Sequence, residues 1–246
     1  MKHEGKRVVV IGGTSGFGFT AAKQLVNEGA RVMVTGRKQE QLDKAAVELG
    51  ERAVAVRGDI ASLADIDALR ERVKNEFGTV DAVFVNAGIA KMAPASDVGE
   101  EDYDELFAVN AKGPYFAVQK LAPLLNEGGA VVFTTSVANV RGLPMMSGYA
   151  ATKAALRSMT RSFATELLPR KIRVNAVSPG PIDTGILDRS LPPEVAASTK
   201  AQMTADNPMS RFGLPEEVAT AMLFLAFDAT YTTGAELAVD GGASQL

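Results

Sequence analysis

A chain of 246 residues, 46% of them hydrophobic, can bury one large α/β core or two small ones. Its charged residues make up 22%, with a net charge of −3 and a pI near 5.4, and no basic run is present, which excludes the usual footprint of a nucleic-acid binder. There is no cysteine and one histidine, His3 in a polar N-terminal stub, so disulfides, thiolate chemistry, histidine metal sites and a Ser-His-Asp triad are excluded, and no carboxylate cluster suggests a metal. No segment approaches the roughly 18 uninterrupted apolar residues of a membrane span, and the start, MKHEGKRVVVIGG, lacks the apolar stretch of a signal peptide. A cytoplasmic protein without a membrane or nucleic-acid partner is expected.

In chain order, short β-branched runs alternate with amphipathic stretches. The pattern predicts a strand over 7–11, a helix over 18–28, a strand over 31–35, a helix over 40–49, a strand over 53–57 and a helix over 63–77. A strand over 82–85 follows, then helices over 101–112 and 115–125, a strand over 130–134, a long helix over 149–168 and a strand over 173–176. A helix over 215–227 and a strand over 236–239 complete it. Val8, Val9, Val10 and Ile11, like Val83, Phe84 and Val85, are apolar at consecutive positions, as strands buried on both faces of a parallel sheet must be. The reading is one α/β domain over 1–246, a Rossmann-type doubly wound parallel sheet of about seven strands with helices on both faces. Only 184–215 looks irregular, and a loop that long inside a compact domain is usually functional.

The first strand runs into Gly12, Gly13, Thr14, Ser15, Gly16, Phe17 and Gly18 before a helix. Gly12 permits a tight turn, Gly16 lets backbone approach a pyrophosphate, and Gly18 brings the helix close to the strand, while the helix N-terminus offers free N–H groups. The competing reading is a plain glycine-rich turn. The second strand ends at Gly36, Arg37 and Lys38, where an NAD site usually places a carboxylate on the ribose 2′-hydroxyl. The missing acid and the two cations favour a 2′-phosphate, hence NADP(H) over NAD(H); otherwise both cations are solvated residues at a helix start.

Tyr149 and Lys153 lie four apart in a helical segment and share a face. A tyrosine titrates near ~10, too high for a base at neutral pH, and a nearby ammonium lowers that value. Such a pair suits alcohol oxidation, or proton donation in the reverse direction, although alone it is usually bland helix surface. Ser136 lies just past a strand's carboxyl end, where α/β folds bind ligands; Thr134 and Thr135 are competing hydroxyls with packing roles.

These residues together resemble the short-chain dehydrogenase/reductase family over essentially the whole chain. Gly12, Gly16 and Gly18 match its glycine fingerprint, Asn86, Ala87 and Gly88 its segment after strand four, and Asn110, Ser136, Tyr149 and Lys153 its catalytic tetrad in order and spacing. Pro179 and Gly180, followed by Thr184, match its nicotinamide segment. The resemblance implies that Tyr149 is the acid/base, that Ser136 holds the substrate oxygen, and that Lys153 binds the nicotinamide ribose and lowers the Tyr149 pKa. It further implies that Asn110 supports Lys153 through a water. Asp59, with Ile60 beside it, resembles the adenine-contacting acid, though it could instead cap the next helix, as Asn110 could be an ordinary helical residue. Asn86 would stabilise the sheet, Gly88 would line the ribose, and Ile182 and Thr184 would meet the carboxamide. Ile11 and Val85 depart from residues frequent in the family, and neither replaces a catalytic group.

The stretch near 185–213, with Ile186, Leu187, Leu191, Met203 and Met209, reads as a lid over the substrate. Leu143, Met145 and Met146 are expected, with Leu187, to line a mostly apolar pocket for a small-molecule carbonyl or alcohol. The family is commonly tetrameric, and the helix after Tyr149 and the apolar end 234–246 could supply interfaces of a homotetramer. A non-catalytic NADP(H) sensor would lack Tyr149 or Lys153. A halide-eliminating lyase of this fold would carry arginine for Lys153 and lose the glycine loop. A 3-oxoacyl-carrier-protein reductase would want a basic docking patch, for which Arg141, Arg189 and Arg211 are candidates, and a sugar or steroid dehydrogenase stays open.

Overall fold

The computed structural model describes residues 1–185, 187, 188 and 192–246. Its first half runs β1 (Arg7–Ile11), α1 (Gly16–Asn27), β2 (Arg31–Gly36), α2 (Gln39–Leu49), β3 (Ala53–Arg57), α3 (Leu63–Phe77) and β4 (Val80–Val85). The second half runs α4 (Glu100–Phe107), α5 (Gly113–Leu121), β5 (Leu125–Thr134), α6 (Ser147–Leu167), β6 (Arg173–Pro179), α7 (Pro193–Ala205), α8 (Pro215–Leu223) and β7 (Glu236–Val239). The seven strands are parallel in the order β3-β2-β1-β4-β5-β6-β7, so the chain reverses its direction of winding between β1 and β4. Such a switch point opens a crevice at the carboxyl ends of the strands.

Consecutive apolar residues in the strands serve two cores. Val9, Ile11, Val83, Val85, Val131 and Phe133 face α3, α5 and α6. Val8, Val10, Val32, Val34, Phe84 and Val132 face α1, α2 and α8. The period of two along each strand sends alternate side chains to opposite layers.

Several boundaries differ from the sequence reading, each for a local reason. Helix α1 begins at Gly16, with extended Ser15 as its N-cap, so Phe17 and Gly18 belong to its first turn. Strand β5 starts early at Leu125, because Leu125 pairs with Val80 ahead of a register slip that brings Ala82 opposite Ala130. The helix expected over 101–112 ends in a π-helical turn, Ala108–Lys112, which leads directly into α5. The irregular stretch contains α7, and the expectations on Ile186, Arg189 and Leu191 fall outside the described residues. His3 is not part of an exposed stub: it is 3% exposed, packed on the Phe227 ring at 4.5 Å, with Nε2 3.1 Å from a Glu28 carboxylate oxygen. Burial pushes its pKa down, because the apolar contact disfavours the imidazolium.

Candidate active site

Two adjoining clefts open at the switch point. The first, of about 200 Å³, is lined by Gly12, Thr14 and Ser15, by Arg37 and Lys38 after β2, by Asp59 and Ile60 after β3, and by Asn86, Ala87 and Gly88 after β4. A Cβ on Gly12 would lie 2.7 Å from the Ala87 Cα, and its φ of +79° also favours glycine. Gly16 instead has open space above it, bounded by the Thr184 methyl 3.6 Å from where its Cβ would stand. Backbone N–H groups at the start of α1 therefore face a cradle that no side chain fills, which fits a dinucleotide pyrophosphate. Gly18 lines neither cleft; a side chain there would strike Asn86 and the Gly12 carbonyl. The Asn86 amide donates to that carbonyl (2.9 Å) and its oxygen accepts from the Thr134 hydroxyl (3.1 Å), tying the glycine loop to β5.

Arg37 and Lys38 are exposed and take part in no ion pair among the described residues, although Lys38 also stands at the N-cap of α2. A Cβ on Gly36 would lie 2.7 Å from Thr14, so the position where a ribose-binding acid would stand has no room for a side chain without movement. Arg57 donates to the Arg37 carbonyl (3.3 Å), bringing a third cation to this rim. Asp59 does not cap α3: Ser62 does, accepting from the Asp65 N–H, while Asp59 turns the chain by accepting from the Ala61 N–H (2.9 Å).

The second cleft, of about 380 Å³, brings Ser136, Tyr149 and Lys153 together with Ser15, Gly16, Phe17, Pro179, Gly180, Ile182, Thr184 and Leu187. Ser136 hydrogen-bonds the Tyr149 phenol, and its Oγ accepts the Ala138 N–H. The competing hydroxyls are committed elsewhere: Thr134 to Asn86, and Thr135 to the Val177 carbonyl and Glu236. Lys153, buried, donates to the Thr134 carbonyl (2.9 Å), with Nζ 5.6 Å from the centre of the Tyr149 ring. Burial pushes the Tyr149 phenol above its ordinary value, and the Ser136 hydrogen bond works against that rise. Burial also lowers the Lys153 pKa to about 8. The lowering of Tyr149 by the Lys153 ammonium that the helix spacing suggests is not found: desolvation raises the phenol, and the Ser136 hydrogen bond is what opposes it.

Asn110, fully buried in the π-helical turn, donates to the Ile89 carbonyl (2.8 Å) and the Thr152 hydroxyl (3.1 Å) and accepts from the Ile89 N–H (2.8 Å). Thr152 in turn donates to the Tyr149 carbonyl (2.7 Å). The Asn110 amide and the Lys153 ammonium both stand 3.3 Å from where a Cβ on Gly88 would be, so only glycine leaves that wall open.

Leu143, Met145 and Met146 do not line the cleft. A positive φ of 64° at Met145 and a bond from the Ala93 N–H to its carbonyl hold that turn at the rim, and Met145 is 47% exposed. The apolar wall is instead made by Phe17, Ile89, Ala90, Leu187, Met203 and Phe212. Ile89, Ala90 and Phe212 escaped sequence reasoning, whose only signal for them was adjacency to the Asn86 segment and to the lid. Both ends of the 184–212 excursion are pinned: the Asp183 N–H donates to the Gly213 carbonyl and the Gly213 N–H to the Pro181 carbonyl, both at 2.9 Å. Lys200 of α7 reaches Asp188 (2.6 Å) across the excursion. Met209, expected in the lid, is exposed and lines a separate pocket. Among the described residues no three His, Cys, Asp or Glu side chains could hold a metal, and no helix is long and apolar enough to cross a membrane.

Residues 12–244 match the family described as enoyl-(acyl carrier protein) reductase. The chain is 41% identical over 245 residues to the oxidoreductase asL5 of Sarocladium schorii, covering 98% of this chain and 97% of that one. It is 36% identical to a 3-oxoacyl-acyl-carrier-protein reductase of Thermotoga maritima (98% and 99% covered) and 36% identical to a 3alpha-hydroxysteroid dehydrogenase of Mediterraneibacter gnavus (99% and 98%). Among solved structures, levodione reductase superposes with a TM-score of 0.93 at 30% identity, covering 98% of each chain.

Proposed function

The chain belongs to the short-chain dehydrogenase/reductase family and is an oxidoreductase that moves a hydride between a nicotinamide cofactor and a carbonyl or secondary alcohol; from that premise we propose that its cofactor is NADP(H) and its substrate an uncharged, mostly apolar ketone or the matching alcohol. The convergence of Ser136, Tyr149 and Lys153 on one apolar-walled cleft carries this reading.

The residues divide the work by position. The glycine loop and the start of α1 hold the pyrophosphate, and Arg37 and Lys38, with Arg57 beside them, meet the 2′-phosphate as unpaired cations. The nicotinamide supplies or accepts the hydride when bound. In reduction, Ser136 donates a hydrogen bond to the ketone oxygen, and the Tyr149 phenol gives that oxygen its proton. Lys153, held against Thr134 O, places a positive charge near the phenolate that remains. In oxidation the same phenolate takes the proton back. Apart from Lys153, no charged side chain lines the cleft among the described residues, so an anionic group next to the carbonyl would be desolvated without a partner. Leu187, Met203 and Phe212 close over the substrate from the lid.

The acyl-carrier-protein reading, which the family description and the Thermotoga relative raise, would need cations at the rim. Arg211 is spent on Glu217 in a two-pronged ion pair (2.6 and 2.8 Å), while Arg141 is exposed. The shared family also supports a homotetramer and a cytoplasmic location.

The test is absorbance of reduced nicotinamide against a panel of ketones, diketones and 3-oxoacyl esters, comparing NADPH with NADH. Preferential NADPH consumption is expected, with Arg37→Ala reducing that preference at least tenfold. Tyr149→Phe is expected to keep NADPH binding while losing about 10²- to 10⁴-fold in turnover, the usual range for a general acid. Equal use of both cofactors, or an active Tyr149→Phe variant, sinks the corresponding assignment.

A further inference from the structure

The cleft does not explain Glu236. This residue opens β7, the edge strand, and its side chain is only 12% exposed. Two hydrogen-bond donors from the Ser136 turn and one cation from α6 converge on its carboxylate. Oε1 accepts the Thr135 hydroxyl (2.6 Å) and the Asn139 amide (2.8 Å), and Oε2 lies 3.0 Å from Arg157 Nε. A carboxylate this enclosed is tolerated only with such partners.

The geometry has a direction. Thr135 and Asn139 flank Ser136 on either side, and the second Asn139 N–H donates to the Ser136 carbonyl (2.7 Å). The turn after Ser136, Val137–Asn139, is thereby held at both ends. Arg157 lies four residues beyond Lys153 and eight beyond Tyr149, so it belongs to the face of α6 that carries the catalytic pair. The Thr135 hydroxyl has one proton to give, and the ionised acceptor at 2.6 Å competes for it better than the Val177 carbonyl at 2.9 Å. One carboxylate thus clamps the Ser136 turn to the helix bearing Tyr149 and Lys153.

We infer that Glu236 is a positioning residue for catalysis, acting through Ser136 by fixing its turn against α6 with Arg157 as the counter-ion. The inference rests on the assignment of Ser136 as the group that holds the substrate oxygen. Glu236 touches neither cofactor nor substrate, so its loss should fall on kcat and spare cofactor binding.

A double-mutant cycle decides it, using Glu236→Gln, Ser136→Ala and the pair, with NADPH and the ketone reduced fastest in the panel. Glu236→Gln is expected to lower kcat at least tenfold, to change the NADPH dissociation constant less than twofold, and to speed amide exchange over 135–139 at least tenfold without altering it over 12–18. In the Ser136→Ala background the same change should cost less than twofold. Should Glu236→Gln fail to fold, Asn139→Ala, which keeps the carboxylate and its ion pair, is expected to show the same kinetic pattern. Equal losses in both backgrounds, an unchanged kcat or unaltered exchange over 135–139 overturns the inference. If Ser136→Ala alone keeps full turnover, the Ser136 assignment falls and the inference with it. If Ser136→Ala is crippled while Glu236→Gln is not, only the inference falls.

Discussion

Lys153 holds a positive charge where the surroundings resist one. Its folded pKa of about 8 lies below the ordinary 10.5, so the unfolded chain binds this proton more tightly than the native one. Between those values the unfolded state carries the extra proton, and raising the pH favours the native state. The ammonium is therefore a cost of about 3 kcal/mol to the fold below pH 8 that is relieved as pH climbs towards 10.5. Thermal unfolding of the wild type and of Lys153→Met should diverge accordingly, with Lys153→Met the more stable at pH 7 and its advantage shrinking by pH 10. Catalysis has the opposite dependence. Tyr149 keeps its proton past pH 8 because burial raises its pKa, whereas Lys153 loses its charge there, so reduction should decline above about pH 8. A pH–rate profile flat to pH 10 would remove the ammonium from the mechanism.

Among the elements, the junction of α4 and α5 has the tightest steric demand. The π-helical turn Ala108–Lys112 turns Asn110 inward, and Gly113 just after it leaves no space for a side chain against the Ile60 carbonyl. Backbone cannot yield as a flexible side chain can, so Gly113→Ala has to move α5 or the β3–α3 connection. A loss of about 1 to 3 kcal/mol is expected, the range for overpacking a core, together with weaker binding of the proposed NADPH because Ile60 lines the first cleft. Denaturant unfolding and cofactor titration of this variant check both effects. A variant as stable as the wild type would mean that the close approach is readily relaxed. Helix α7 is the looser counterpart: it buries Ala196 alone, and its excursion is pinned at its base, which suits a segment that moves over the cleft.

For the molecule as a whole, the two apolar layers fix where the site must be. Packing α3, α5 and α6 on one face and α1, α2 and α8 on the other leaves the carboxyl ends of β1 and β4 as the place where the crevice opens. The C-terminal end keeps Leu237 and Leu246 exposed, apolar surface that association would cover. Light scattering is expected to give a mass about four times the 25.9 kDa of one chain, and a monomeric mass would refute the tetramer.

The sequence by itself determined the parallel sheet and its two helical layers, because runs such as Val8–Ile11 can be stable only between two helical layers and a parallel sheet needs crossovers, while the strand order came from the fold. It also placed Gly12, Gly16, Ser136, Tyr149 and Lys153, since their spacing fits a strand–turn–helix and a helix turn, whereas Gly18, expected at the cofactor, packs against Asn86 and lines neither cleft. Tertiary structure decided what depends on contacts between distant segments. The Tyr149 and Lys153 pKa values follow from burial, which spacing along one helix cannot report. Met145 missed the cleft because a backbone bond from Ala93 held its turn at the rim, and His3 was buried by Phe227, far along the chain. Glu236, 100 residues from Ser136, gave no local signal at all: a lone acid opening an edge strand reads as solvated until the fold brings Thr135, Asn139 and Arg157 to it.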